Sequence, residues 1–371
     1  MYKIRLSALI TAISLIACQP GRGEQPLTTI PPEDSKIEYA GYVHKEFVVP
    51  PDQPDAKVAR FDRLLDMPGT GYRWDNPGAR ILFRTDATAL VARLNYSELH
   101  QSKTARNGIG VWSVDGVFKP EWSFRSREQA VKRGLETVEV ILSTGIAGGF
   151  HDFEIVLPYG DSVDFAGLKV NPEARFEPVR AKRAIRYVAY GDSITHGFSA
   201  SAVNKSYPFL VGQAKGWETI DLGFGGRSSY PAPTDAAVIT SLKPDVVTVL
   251  LGVNDWNGGV PLAVYRKNME AFLDNLRGAQ PETPVYLLTP LWVGPGWNPP
   301  GKKTELEGYR QALRDIAAVR SDPNLRLIEG PELIDPDLSL FDRVPLHPND
   351  AGFAMMAGRL AQKLNPLKTQ P

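Results

Sequence analysis

Four short polar stretches of this 371-residue chain could do chemistry together. "GDSITHG" holds Ser193 two residues after a glycine. A serine hydroxyl acts as a nucleophile only with a base beside it, donors for the developing oxyanion and a position that substrate can reach. Ser193 is either such a nucleophile or one more serine in a helix-capping Gly-Asp-Ser turn. In "GFGGRSS", Gly223, Gly225 and Gly226 either let backbone amides approach a ligand or only make a strand-to-helix turn. In "GVNDWNGG", Asn254 can cap a helix or donate a hydrogen bond to an oxyanion. In "VPLHPNDAGF", Pro348 disfavours helix at His347, so that ring is offered from a loop.

The elements around these stretches would bring them together. "AIRYVAYG", "TIDLG", "PDVVTVLLG", "PVYLLTP" and "LRLIEG" are strand-like runs, and "DVVTVLL" and "PVYLL" have little polar alternation, as strands buried on both faces should. Helical spacing puts Tyr265, Met269, Phe272 and Leu276 on one face, and Leu306, Tyr309, Leu313 and Ile316 on another. Strands alternating with helices make a parallel sheet covered on both sides. Ligands bind at the C-terminal ends of such strands. All four stretches fall at strand exits on that one edge, and this coincidence carries more weight than any one of them.

The order "GDSITHG", "GFGGRS", "GVND", "HPNDAG" closely resembles the four blocks of the SGNH (GDSL-type) hydrolases, over residues 184–365. The resemblance implies a flavodoxin-like α/β domain that hydrolyses esters without metal or cofactor. It implies Ser193 as nucleophile and His347 as general base. It implies an oxyanion hole from the Gly226 amide, the Asn254 side chain and the Ser193 amide. In one respect the chain departs from the pattern. The family's acid, three residues before the histidine, is Val344 here; Asp342 lies five before and Asp350 three after. Asp342 could reach the ring, a backbone carbonyl could orient it in a Ser–His dyad, or Asp350 could help, although Asp350 reads better as a helix cap. His196, in the nucleophile's own turn, reads as a packing or site-lining residue rather than the base.

Residues 37–178 read as all-β. "ETVEVILST" and "HDFEIVLP" alternate, the second through Phe153, Ile155 and Leu157, and Asp115-Gly116 is a hairpin signal. We expect a β-sandwich of jelly-roll type there, followed by the α/β domain at 179–371. That combination resembles the two-domain carbohydrate esterases, family two in particular, and implies removal of acyl groups, acetyl above all, from a carbohydrate or polysaccharide. Trp256 and Trp297 are expected at the site rim, where flat aromatic faces suit sugar rings; Trp292 reads equally as rim or core. The alternatives are a broad arylesterase or lipid acyl hydrolase, and a non-catalytic sugar-binding lipoprotein.

The N-terminus, with Lys3 and Arg5 before an apolar run, reads as a signal peptide over residues 1–17. "LIAC" resembles a bacterial lipobox ending at Cys18, the single cysteine of the chain, so no intrachain disulfide is possible. Residues 18–36 are expected to be a lipidated flexible tether, and Gln19 by resemblance fits outer-membrane sorting. Forty-two basic residues balance 42 acidic ones. This gives no electrostatic reason to expect nucleic acid, and membrane contact is expected only through the lipid.

Overall fold

The computed structural model describes residues 25–50, 57–65, 72–95, 109–124, 137–143, 146–160, 162–180, 184–297 and 305–366. The expected signal peptide and Cys18 lie outside the described residues. Two six-stranded antiparallel sheets form the N-terminal part. Their inner faces follow the period of two: Ile81 and Phe83 on one strand and Phe153, Ile155 and Leu157 on its neighbour are at most 2% exposed. Phe83 stacks on Phe153 with ring centroids 5.2 Å apart, and Trp112 on Trp122 at 4.2 Å. Asp115 and Gly116 both take positive φ, at 49° and 77°, the geometry of a tight two-residue hairpin turn. This part is a β-sandwich.

The expected tether is shorter than its composition suggested. Thr28–Ile30 forms a strand antiparallel to Asp164–Val170, with Ile30 opposite Leu168. Ile30 and Ile37 are both buried in the sandwich core. Two isolated isoleucines among Pro, Thr and acidic residues are enough to add an edge strand once a partner edge exists. Gly167 permits the close approach: its φ is 96°, and a Cβ there would lie 2.3 Å from the Ile30 carbonyl oxygen.

After Phe176–Glu177, the last strand of the sandwich, the topology changes. Five parallel strands lie in the order Glu218–Gly223, Arg186–Gly191, Val246–Leu250, Val285–Leu288, Leu325–Ile328, the 2-1-3-4-5 order of flavodoxin-like sheets. The helix Leu262–Ala279 buries Tyr265, Met269, Phe272, Leu273 and Leu276 on one side. The helix Leu306–Val319 does the same with Leu306, Tyr309, Leu313 and Ile316. Among the described residues no helix is long and apolar enough to cross a membrane.

The sandwich packs against the α/β part near the strand exits. Buried Arg63 donates to the Gly223 carbonyl at 2.6 Å and to the Tyr72 carbonyl at 2.8 Å. The Tyr159 hydroxyl donates to the Ala200 carbonyl at 2.5 Å. Both α/β acceptors flank the turn that carries Ser193.

Candidate active site

Ser193 opens a one-turn helix, Ser193–His196, directly after the strand Arg186–Gly191. Asp192 caps it, accepting from the Ile194 amide at 2.9 Å. The turn is pressed between two neighbouring strand exits. A Cβ at Gly191 would lie 2.7 Å from the Leu250 carbonyl oxygen, and one at Gly223 only 2.0 Å from the His196 nitrogen. Glycine at both positions lets the strands approach the nucleophile turn this closely.

Ser193 Oγ lies 2.8 Å from His347 Nε2, although 154 residues separate them in sequence. His347 sits on a loop closed by a bridge between Phe341 and Pro348. The Asp342 amide donates to the His347 carbonyl at 3.0 Å, and the Asp342 carboxylate accepts from the Ser199 hydroxyl at 3.0 Å and from the Arg343 amide at 2.7 Å. Val344, at the position of the family's acid, packs partly buried against the core. Asn349, not Asp350, caps the last helix: its side-chain oxygen accepts from the Ala351 and Gly352 amides. Asp350 instead accepts from the Ser201 amide at 2.7 Å and hydroxyl at 2.5 Å. The acids on either side of His347 therefore both hold the segment that follows the nucleophile helix.

The glycine turn and the asparagine meet at one hydrogen bond. Gly226 takes φ 80° in a turn closed by the Arg227 amide on the Phe224 carbonyl at 3.0 Å. Asn254 Nδ2 donates to the Arg227 carbonyl at 3.0 Å. Arg227 Nε and Nη2 both reach Asp235 Oδ2, at 2.8 and 2.7 Å, and the Tyr190 hydroxyl donates to the same oxygen at 2.6 Å. This ion pair is buried, so removing either member would strand a charge. Asp255 accepts from the Ser229 amide and hydroxyl, pinning the far side of the loop. Arg227, Asp235 and Tyr190 were not singled out from sequence; the available signal was an arginine beside the glycine pair with an acid in the first turn of the next helix.

Burial dominates the electrostatics. The Asp192 carboxyl is pushed up to about 7 by burial, only partly opposed by its bond from the Ile194 amide. Burial, with Arg63 nearby, holds His196 well below the usual histidine value, so its ring is neutral. His196 is fully buried, its Nε2 3.8 Å from Asp75 Oδ2 and its ring against Tyr72 and Phe198, with centroids 5.1 and 5.0 Å away. It packs the turn against the sandwich. Among the described residues no group of three or more His, Cys, Asp or Glu side chains converges as metal ligands do.

Of the two tryptophans expected at the rim, Trp256 is not there. Trp256 is 5% exposed and belongs to the core. It lies two residues after Asn254 on the short helix Val253–Asn257, so a helical turn of 100° per residue carries it to the opposite side. Trp297 is half-buried, packs against the same core, and donates to Asn257 Oδ1 at 2.9 Å. Trp292 sets its ring edge-on to Phe341, 5.3 Å away.

Residues 189–355 match the model of the GDSL-like lipase/acylhydrolase family. The α/β part of the chain is a GDSL/SGNH lipase-acylhydrolase domain, here behind an N-terminal β-sandwich. A comparison with curated protein sequences finds no match. Among solved structures, a salicylyl-acyltransferase from a tetracycline biosynthetic pathway, SsfX3, is 20% identical with a TM-score of 0.76, over 92% of this chain and 99% of that one. A family two carbohydrate esterase from Clostridium thermocellum in complex with cellohexaose is 16% identical with a TM-score of 0.64, over 88% and 97%. An acetyl xylan esterase from Butyrivibrio proteoclasticus is 12% identical with a TM-score of 0.59, over 86% and 98%. At these identities the likeness is one of fold, and it spans both domains.

Proposed function

We propose that the protein is a serine esterase that removes acyl groups, acetyl above all, from a carbohydrate through an acyl-enzyme on Ser193. The observation that carries this reading is the 2.8 Å contact of Ser193 Oγ with His347 Nε2, beside the Gly226 turn and Asn254. His347 takes the hydroxyl proton as Oγ bonds to the ester carbonyl carbon. The amides of Ser193 and Gly226 and the second N–H of Asn254 donate to the oxyanion. The bond from Asn254 to Arg227 fixes that amide group in advance, which is how such donors lower a barrier. The C–O bond to the sugar breaks and His347 returns the proton to the leaving alcohol. Water then attacks the acyl carbon by the same route in reverse, releasing the carboxylic acid. No step calls for a metal or cofactor.

The carbohydrate class draws support from the two-domain likeness to esterases of that class. The likeness to an acyltransferase favours one second reading, in which the acyl group passes to an alcohol acceptor instead of water. Rates on p-nitrophenyl acetate, p-nitrophenyl decanoate and acetylated xylan separate the cases. Acetate release from xylan together with preference for the short ester supports a carbohydrate acetylesterase. Preference for the decanoate with no release from xylan contradicts it. Turnover that needs an added alcohol supports transfer.

We also propose that the mature chain begins at lipidated Cys18 and is held at the outer membrane, on its periplasmic or surface side. The support is the sequence alone: the basic start, the apolar run and "LIAC" before Gln19.

A further inference from the structure

A second cleft, of about 950 Å³, lies between the two domains at the opposite end of the parallel sheet from Ser193. Its α/β wall includes Arg186 and Glu218, the first residues of the two strands whose last residues, Gly191 and Gly223, flank the candidate active site. Seven residues of nearly extended chain from Arg186 to Ser193 put the two sites roughly 20 Å apart. The other wall is the outward face of a sandwich sheet, with Arg80, Ser113, Asp152 and Glu154.

Arg80 is 1% exposed and Ser113 0%. Arg80 Nε and Nη2, Ser113 Oγ and Asp152 Oδ1 are buried without a hydrogen-bond partner. Buried polar atoms are nearly always satisfied, so a cluster of such atoms around one cleft calls for an occupant. Three of the cleft's carboxylates are already countered by arginines. Arg84 donates to Asp152 Oδ2 at 3.1 Å and Arg186 to Glu218 Oε2 at 3.3 Å, and Arg80 Nε faces Glu154 Oε1 at 3.5 Å. An anion would meet five carboxylates, those of Glu38, Asp115, Asp152, Glu154 and Glu218, and a cation the three guanidiniums of Arg80, Arg180 and Arg186. What remains open is a set of interleaved donors and acceptors, and a hydroxyl group supplies both. We infer that this cleft is a non-catalytic binding site for a neutral, polyhydroxylated ligand, a saccharide. Clefts at domain interfaces with a few convergent polar groups are common small-molecule sites.

The inference does not depend on chemistry at Ser193, and the test keeps the two apart. Cellohexaose, xylohexaose and mannohexaose are titrated by calorimetry against Ser193→Ala protein, alone and combined with Ser113→Ala, Asp152→Asn or Arg80→Met. Ser113→Ala removes a hydroxyl and Asp152→Asn turns one acceptor oxygen into a donor, each with little change in volume, so they remain informative if Arg80→Met does not fold. At least one hexasaccharide should bind, and either mild change should weaken it at least tenfold. The same mild changes in the wild-type background should leave p-nitrophenyl acetate turnover unaltered. No binding at millimolar sugar, which means ordered water only, overturns the inference. Binding untouched by all three changes places the sugar elsewhere and also overturns it. Saccharide binding in a protein with no esterase activity would leave it standing while the proposed function failed.

Discussion

The main-chain N–H of Asp342 donates to the carbonyl of His347 at 3.0 Å, while the Asp342 carboxylate accepts from Ser199 at 3.0 Å. Asp342 thus braces the loop that offers the imidazole and ties it to the segment after Ser193. On the proposed mechanism the base is indispensable, whereas a brace only biases where it sits. His347→Ala should reduce hydrolysis of an acetyl ester to near background. Asp342→Asn, which keeps the amide and one acceptor oxygen, should keep a readily measured fraction. Equal losses in two folded variants would make Asp342 a full triad acid.

Arg227 and Asp235 should act on rate more than on substrate affinity. Arg227→Lys keeps the charge but cannot reproduce two guanidinium nitrogens on one oxygen. We expect kcat on p-nitrophenyl acetate to fall about tenfold or more with KM within about twofold, since only the Gly226–Asn254 donor geometry suffers. Arg227→Ala leaves Asp235 buried beside Tyr190, and should cost about 3–5 kcal/mol in urea unfolding. An alanine variant with unchanged stability and kcat would remove the pair from the account.

Stability should fall as pH rises through the weakly acidic range. Burial pushes Asp192 and Asp221 up to about 7, whereas an unfolded aspartate titrates near 4. Between those values the folded chain holds protons that the unfolded chain has released, so each unit of pH costs stability until the folded groups ionise. Tm at pH 5 should exceed Tm at pH 8. Asn is as good a helix cap as Asp, so Asp192→Asn should keep the turn and narrow that difference. A gap of the same size in the variant would show that Asp192 does not titrate in this window.

Much of this was legible in the sequence because it is local. The apolar runs of the parallel strands, the faces of the two long amphipathic helices and the Asp115-Gly116 turn are periodicities or turn chemistries confined to a few residues. The order of the four polar blocks led to Ser193, Gly226, Asn254 and His347, which the fold gathers at one sheet edge. What was not legible depends on distant partners. Arg63 reaches Gly223 across 160 residues, and nothing near Arg63 announces it. Trp256 was misplaced because adjacency to Asn254 in sequence is opposition on a helix. The Thr28–Ile30 strand exists through its pairing with Leu168–Val170 and has no signature of its own. Asn349 and Asp350 are both able caps, and only the fold gives the cap to Asn349 and sends Asp350 to Ser201.

The proposed anchor is tested by fractionation. Wild-type protein expressed in a bacterial host should partition with membranes and carry a lipid-modified N-terminal cysteine by mass spectrometry. Cys18→Ala should be unprocessed or released in soluble form. Wild-type protein in the soluble cytoplasm would contradict the proposal.

The most direct test of the central claim is the initial rate of p-nitrophenyl acetate hydrolysis by Ser193→Ala beside the wild type, with circular dichroism to establish that both are folded. Losing the nucleophile of such a site costs orders of magnitude in kcat, so the variant should fall to background with its spectrum unchanged. A folded variant that keeps more than about a tenth of the wild-type rate would mean that the acyl group is not carried on Ser193.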